Sequence, residues 1–174
     1  MTGRASSNAN SITLSSLNYV PPSAVAQLLL EPAEKAKIAI IDVRDSDHIG
    51  GNINGSQWVP LNQLDVKMPE LIRTLKDKEK VIFHCMLSQQ RGPKAALAYA
   101  RAKQAAQHKE ANEAAEAEAE AAAAAEEAKD HGTGETKQSL KQEVCVLDGG
   151  FGAWQATFGE DPRLTADYQP DIWL

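Results

Sequence analysis

Three apolar runs organise the chain: Ile38 to Val43, interrupted only by Asp42, then Val81-Ile82-Phe83, and Val144-Cys145-Val146-Leu147. Each ends in polar residues, and none alternates between apolar and polar positions. That pattern predicts strands buried on both faces, as in a parallel sheet. Segments with helical spacing lie between them. Ser23 to Leu30 follows Pro21-Pro22, with Ser23 or a neighbour as cap, and Pro69 to Leu75 places Leu71, Ile72 and Leu75 on one face. A third helix begins near Pro93, and a short fourth contains Trp154. Ser56 to Val59 reads as a short strand closed by Pro60. Strands alternating with helices predict an α/β fold with a mainly parallel sheet flanked by helices.

From Gln104 to Lys129 the sequence is dominated by alanine and glutamate, both strong helix formers, so it extends the helix that begins near Pro93. Between Tyr99 and Leu140 no large apolar residue occurs, so the extension has little to bury. A continuous helix from Pro93 to Lys129 would be ~55 Å long. His131-Gly132-Thr133-Gly134 reads as its stop and return loop. Residues 11–174 are thus expected to form one domain carrying a low-complexity helical insertion at 104–136, preceded by a disordered tail at 1–10. The insertion is expected to be solvated and without catalytic function, a partner-binding arm being the alternative. Hydrophobic residues make up 43% of the chain, but alanine inflates that figure, so the core must come from the segments before Arg101 and after Lys141.

The net charge of −6 argues against an anionic partner until its distribution is considered. Residues 104–136 hold nine acids and two bases, a net of −7, which leaves about +1 for the rest. A small anion is therefore not repelled from the remainder of the chain, and no basic stripe suggests nucleic acid. The two cysteines, Cys85 and Cys145, form no disulfide framework, and no segment has the length and apolarity of a signal peptide or a membrane span. A reducing, cytoplasmic or nuclear setting is the expectation, in which a free thiol stays reactive. His48, His108 and His131 show no cysteine or carboxylate pattern suited to zinc, so no metal is expected.

The chemistry concentrates in His84-Cys85-Met86-Leu87-Ser88-Gln89-Gln90-Arg91-Gly92-Pro93, between a buried strand and a helix. A strand-to-helix loop directs backbone N–H groups inward, and the helix adds the positive end of its dipole. Such a loop, Met86 to Arg91, suits an oxyanion and stabilises negative charge on a sulfur placed within it. Cys85 is the candidate nucleophile. Arg91 is the candidate clamp, because its planar fork pairs two oxygens of phosphate or arsenate. Ser88 is the candidate hydrogen-bond donor to the thiolate. His84 is expected to orient the loop rather than act as a base, and Cys145 to pack in the core rather than serve as a resolving thiol. Asp42 and Arg44 could supply an acid or a substrate clamp, but a structural ion pair is the preferred assignment. Gly149 and Gly150 read as turn glycines.

The His-Cys-x-x-Ser-x-x-Arg-Gly-Pro stretch resembles the active loop of the M-phase inducer dual-specificity phosphatases and of the related eukaryotic arsenate reductases, both within the rhodanese superfamily. Ile41-Asp42-Val43-Arg44 with His48 to Ser56 and Val59-Pro60 resembles the first rhodanese motif, and Leu147-Asp148-Gly149-Gly150-Phe151-Gly152-Ala153-Trp154 the second. The three blocks occur in family order across roughly residues 20–160. The resemblance implies a three-layer domain with a central, mainly parallel five-stranded sheet. It also implies that sulfurtransferases have a loop one residue shorter, so the Cys85-to-Arg91 length favours a phosphate or arsenate substrate. Two departures are informative. Met86 and Gln90 stand where M-phase inducers carry acids, and Val43 stands where they carry a protective cysteine. The expected function is hydrolysis of phosphate esters or phosphoproteins through a cysteinyl-phosphate intermediate, without metal or organic cofactor. The alternative is arsenate reduction with glutathione and glutaredoxin; a sulfurtransferase or a non-catalytic phosphate-binding module stands behind both.

Overall fold

The computed structural model describes residues 11–124 and 141–173. The tail at 1–10 and the return loop at His131 lie outside the described residues. The elements are β1 (Asn18–Val20), α1 (Pro22–Leu30), α2 (Pro32–Lys35), β2 (Ile38–Asp42), β3 (Asn52–Ile53), β4 (Gln57–Trp58), α3 (Leu64–Thr74), β5 (Lys80–His84), α4 (Arg91–Ala124), β6 (Glu143–Leu147), α5 (Gly150–Phe158) and β7 (Thr165–Ala166). Five strands form one sheet in the order β1-β6-β5-β2-β4, and every pairing in it is parallel. β3 and β7 form a separate antiparallel pair.

The continuous apolar character of the central strands follows from helices on both faces. Val81, Phe83, Ile41 and Val146 face one layer, with Leu64, Met68 and Leu71 of α3 and Ala95, Ala96 and Tyr99 of α4. Ile82, Ile38, Ile40, Cys145 and Leu147 face the other, with Val25 and Leu29 of α1 and Phe151 and Trp154 of α5. Cys145 is fully buried there, and burial pushes its thiol up to about 12, as expected of a core residue. Tyr99 donates to Gln142 Oε1 at 2.9 Å, and Gln142 Nε2 donates to the carbonyls of Leu75 (2.6 Å) and Lys78 (2.8 Å). This network fixes the base of α4.

Several boundaries differ from the sequence expectation. The N-cap of α1 is Pro21, with no side-chain cap bond, and Pro22 opens the helix. Proline is tolerated there because the first helical N–H has no intrahelical partner. Helix α3 begins at Leu64, so Pro69 lies inside it, and burial of Leu64, Met68 and Leu71 along one face offsets the lost hydrogen bond. Helix α4 begins at Arg91, which puts Pro93 in its first turn. It continues through the Ala/Glu segment to Ala124, ~50 Å in all. From Gln107 to Ala124 every residue is exposed. The short β1, β3 and β7 have no apolar run, and sequence periodicity did not reveal them.

Candidate active site

Parallel register aligns the C-terminal ends of the central strands, the usual position for ligands in such sheets. Asp42 of β2 is paired with His84 of β5, and Cys85 follows immediately. The loop from Cys85 to Gln90 then delivers the chain to Arg91, the first residue of α4. Cys85 and Ser88 are buried, Met86 and Arg91 are half-buried, and Leu87, Gln89 and Gln90 are exposed. Ser88 adopts φ of 52°, rare for a residue with a Cβ, and its backbone N–H donates to Cys85 Sγ at 3.2 Å. The expected hydroxyl contact to sulfur is not formed. Ser88 Oγ is buried without a hydrogen-bond partner among the described residues, and the amide supplies the bond instead.

The start of α5 holds the loop from outside. Phe151 N–H donates to the Cys85 carbonyl at 2.9 Å and Gly152 N–H to the Met86 carbonyl at 2.8 Å, while His84 Nδ1 lies 3.1 Å from the same Cys85 oxygen. In a trans peptide the C=O and the following N–H point in opposite directions. Tying these two carbonyls to α5 therefore turns the N–H groups of Met86 and Leu87 away from it. Gly149 and Gly150 are more than turn residues. Both have positive φ, 71° and 60°, and a Cβ on Gly150 would lie 2.6 Å from the carbonyl oxygens of both Cys85 and Met86.

Arg91 meets two carboxylates that sequence reasoning could not place. Its Nη1 donates to Asp47 Oδ1 at 2.6 Å and its Nη2 to Asp47 Oδ2 at 2.5 Å, with Asp45 Oδ2 at 3.4 Å from Nη1. The guanidinium holds the Asp47 carboxyl down at about 2, and Asp47 in turn raises Arg91 further above its already high range. Nothing in the spacing of residues 45–47 signals this contact, because it joins the β2–β3 connection to the start of α4.

Beneath the loop, Asp42 and Arg44 form the expected structural pair. Both side chains are fully buried, with Nη2 to Oδ2 at 2.6 Å and Nε 3.0 Å from each carboxylate oxygen. Arg44 also donates to the carbonyl of Gly51 at 2.9 Å and lies over the Phe151 ring at 4.2 Å. Burial alone would raise the Asp42 carboxyl, but the charge and hydrogen bonds of Arg44 favour its ionised form and it lies below its ordinary value. His84 Nε2 is 3.8 Å from Asp42 Oδ2 and has no hydrogen-bond partner among the described residues; burial lowers its pKa against the pull of Asp42. A neutral, immobilised imidazole fits an orienting role. His48 stacks on Trp58 at 4.4 Å, and the Trp58 indole donates to the Arg44 carbonyl at 2.7 Å.

A groove of about 1190 Å³ lies between α3 and α4 and is lined by Met68, Ile72, Tyr99 and Lys103. It contains no residue of the Cys85–Arg91 loop. The candidate site is the loop, which among the described residues brings together a buried thiol, N–H groups turned away from α5 and a guanidinium. No helix among the described residues is long and apolar enough to cross a membrane.

A three-layer sheet with a cysteine loop at its strand ends defines a rhodanese-type architecture, and sequence comparison agrees. The model of the rhodanese-like domain matches residues 25–157, and the chain belongs to that family. Among its relatives, the "CDC25-like phosphatase YCH1" of Saccharomyces cerevisiae is 29% identical over 94% of this chain and 99% of its own length. The "dual specificity phosphatase ibp1" of Schizosaccharomyces pombe is 32% identical over 87% and 97%. Among solved structures, an As-Sb reductase from Leishmania major superposes with a TM-score of 0.63 at 26% identity, covering 90% of each chain. The relatives are thus named as phosphatases or reductases, which agrees with the expectation of a thiolate-dependent enzyme.

Proposed function

We propose that this chain is a cysteine-dependent phosphatase. The Cys85 thiolate attacks phosphorus, the P–O bond to the leaving group breaks, and water then attacks the cysteinyl-phosphate to release inorganic phosphate and regenerate the thiolate. Arg91 and the loop amides neutralise charge on the equatorial oxygens as it develops. The observation that carries this reading is the loop itself. A buried sulfur accepts the Ser88 amide at 3.2 Å, with a guanidinium at the start of α4 and carbonyls drawn outward by α5. In this reading the enzyme needs neither metal nor organic cofactor and works in a cytoplasmic or nuclear setting. Phosphate monoesters, including phosphoproteins, are the substrate class.

Arsenate reduction is the second reading, favoured by the absence of a carboxyl group at Met86 and Gln90 and by the likeness to the As-Sb reductase. Cys85 would displace water from arsenate. Glutathione would then donate the second sulfur, giving a Cys85–glutathione disulfide and arsenite, and glutaredoxin would reduce the disulfide. The test compares an aryl phosphate, arsenate with glutathione and glutaredoxin, and thiosulfate with cyanide, each with Cys85→Ser as the blank. Cysteine-dependent release of phosphate is expected. Turnover retained by Cys85→Ser removes Cys85 as the nucleophile, and activity confined to thiosulfate overturns both readings.

A further inference from the structure

We propose that Asp47 is the positioning residue for Arg91, holding the Nη1/Nη2 edge of the guanidinium so that the Nε/Nη2 edge is presented to a tetrahedral oxyanion in the loop. The inference rests on the functional reading of that loop and adds a residue from a different segment to it. A guanidinium has five N–H donors arranged as more than one two-point edge. Asp47 takes one edge with both carboxylate oxygens, at 2.6 and 2.5 Å, whereas Nε donates to nothing among the described residues. The unused edge has the same planar two-donor spacing and remains available for a phosphoryl or arsenyl group.

The anchor is itself held. Asp45 N–H donates to Asp47 Oδ1 at 3.0 Å, Ile49 N–H to the Asp47 carbonyl at 2.9 Å and His48 N–H to the Asp45 carbonyl at 3.2 Å. The turn therefore presents Asp47 in a fixed direction. Arg91 needs such an anchor because only its backbone belongs to α4; its side chain is about a third exposed and has several rotamers. Within the loop, Met86 and Gln90 offer no carboxylate that could perform the task. The β2–β3 connection supplies it from outside. The contrary arrangement has Asp47 competing with the oxyanion for Arg91. The two differ in the sign of what happens when the carboxylate is removed.

The experiment measures binding of inorganic phosphate to Cys85→Ser, with and without Asp47→Asn, together with kcat and KM for an aryl phosphate on the Cys85 background. Asp47→Asn is expected to weaken phosphate binding ~10-fold or more. It should lower kcat by on the order of 10²-fold, the scale of losing a preorganised donor to the transition state. Asp47→Glu should restore part of both. Combined with Arg91→Lys, Asp47→Asn should cost little further, because both changes disable the same clamp. Thermal unfolding of each variant separates a folding defect from a site defect. Tighter phosphate binding in Asp47→Asn overturns the inference, as does unchanged affinity and kcat in a folded variant, or full additivity with Arg91→Lys. If Cys85→Ser with Asp47 intact binds no phosphate, both the loop reading and this inference fall. If it binds phosphate but the Cys85 enzyme does not hydrolyse the ester, only the hydrolytic reading falls, and the Asp47→Asn affinity still decides the inference.

Discussion

The backbone N–H of Phe151 donates to the carbonyl oxygen of Cys85 at 2.9 Å, joining the second rhodanese motif to the first residue of the candidate loop. Gly150 makes that approach possible, because any side chain there would meet the carbonyls of Cys85 and Met86. A motif some 60 residues further along the chain thus shapes the cradle around the sulfur.

Gly150→Ala is expected to reduce both stability and turnover. The positive φ alone costs about 1–2 kcal/mol for a residue with a Cβ, and a contact of 2.6 Å with two backbone oxygens forces the loop or α5 to shift. A displacement of this kind can cost ~10²-fold in rate. Gly55→Ala is the control, since Gly55 also has positive φ, 82°, but the nearest atom to an added Cβ is the flexible Lys35 Cε at 3.6 Å. Equal losses of Tm and kcat/KM in the two variants would show that Gly150 matters only for its φ.

Leaving-group dependence should be steep. Met86 and Gln90 cannot donate a proton, and the nearby Asp47 carboxyl is held at about 2 by Arg91, so it is ionised at neutral pH. General acid catalysis is typically worth about 10²–10⁴-fold. For substituted phenyl phosphates, kcat/KM should therefore fall by that order between good and poor leaving groups. A flat dependence with chemistry rate-limiting would reveal an acid elsewhere.

Stability should decline on mild acidification. Burial depresses the His84 imidazole below its ordinary value in the folded chain. The unfolded chain therefore takes up the proton first as the pH falls through about 6.5. Stability contributed by neutral His84 is full above that value and is lost below it, at up to about 1.4 kcal/mol per pH unit. His48, depressed chiefly by burial but partly exposed, adds a smaller slope in the same direction. Urea unfolding of wild type and His84→Gln between pH 5 and 7.5 measures the difference; identical slopes would assign the effect to other groups.

The outer part of α4 should be dispensable. Gln107 and Lys141 line the same shallow pocket, so a short Gly/Ser linker can join the two sides. Removing residues 108–136 should leave cooperative unfolding and turnover close to wild type, because residues 108–124 bury nothing in the described structure. Extending the deletion back to residue 101 should lower Tm, since Ala102, Lys103, Gln104 and Ala106 are half-buried against the domain. Loss of cooperativity on the shorter deletion would show that the arm packs on the domain.

Much of the architecture was legible in the chain because it depends on local pattern. The runs at Ile38, Val81 and Val144 read as strands covered on both faces, and the structure places helices on both. The loop from Cys85 to Arg91 stood out because a reactive thiol, a closing arginine and a strand-to-helix boundary fall within ten residues of one another. The Ala/Glu segment showed its own lack of a core-facing side, and α4 is exposed from Gln107 as far as Ala124, with Gln104 and Ala106 half-buried at the start of the segment. What the sequence could not supply are contacts between segments far apart along the chain. Nor do residue types report a local backbone choice such as the φ of 52° at Ser88, whose amide rather than hydroxyl meets Cys85 Sγ. That Asp47, rather than any loop residue, meets Arg91 depends on how the β2–β3 connection packs over the start of α4. Side-chain periodicity reports which face of an element is buried, and it carries no information about which distant backbone or carboxylate that face will meet. Tertiary packing made those choices.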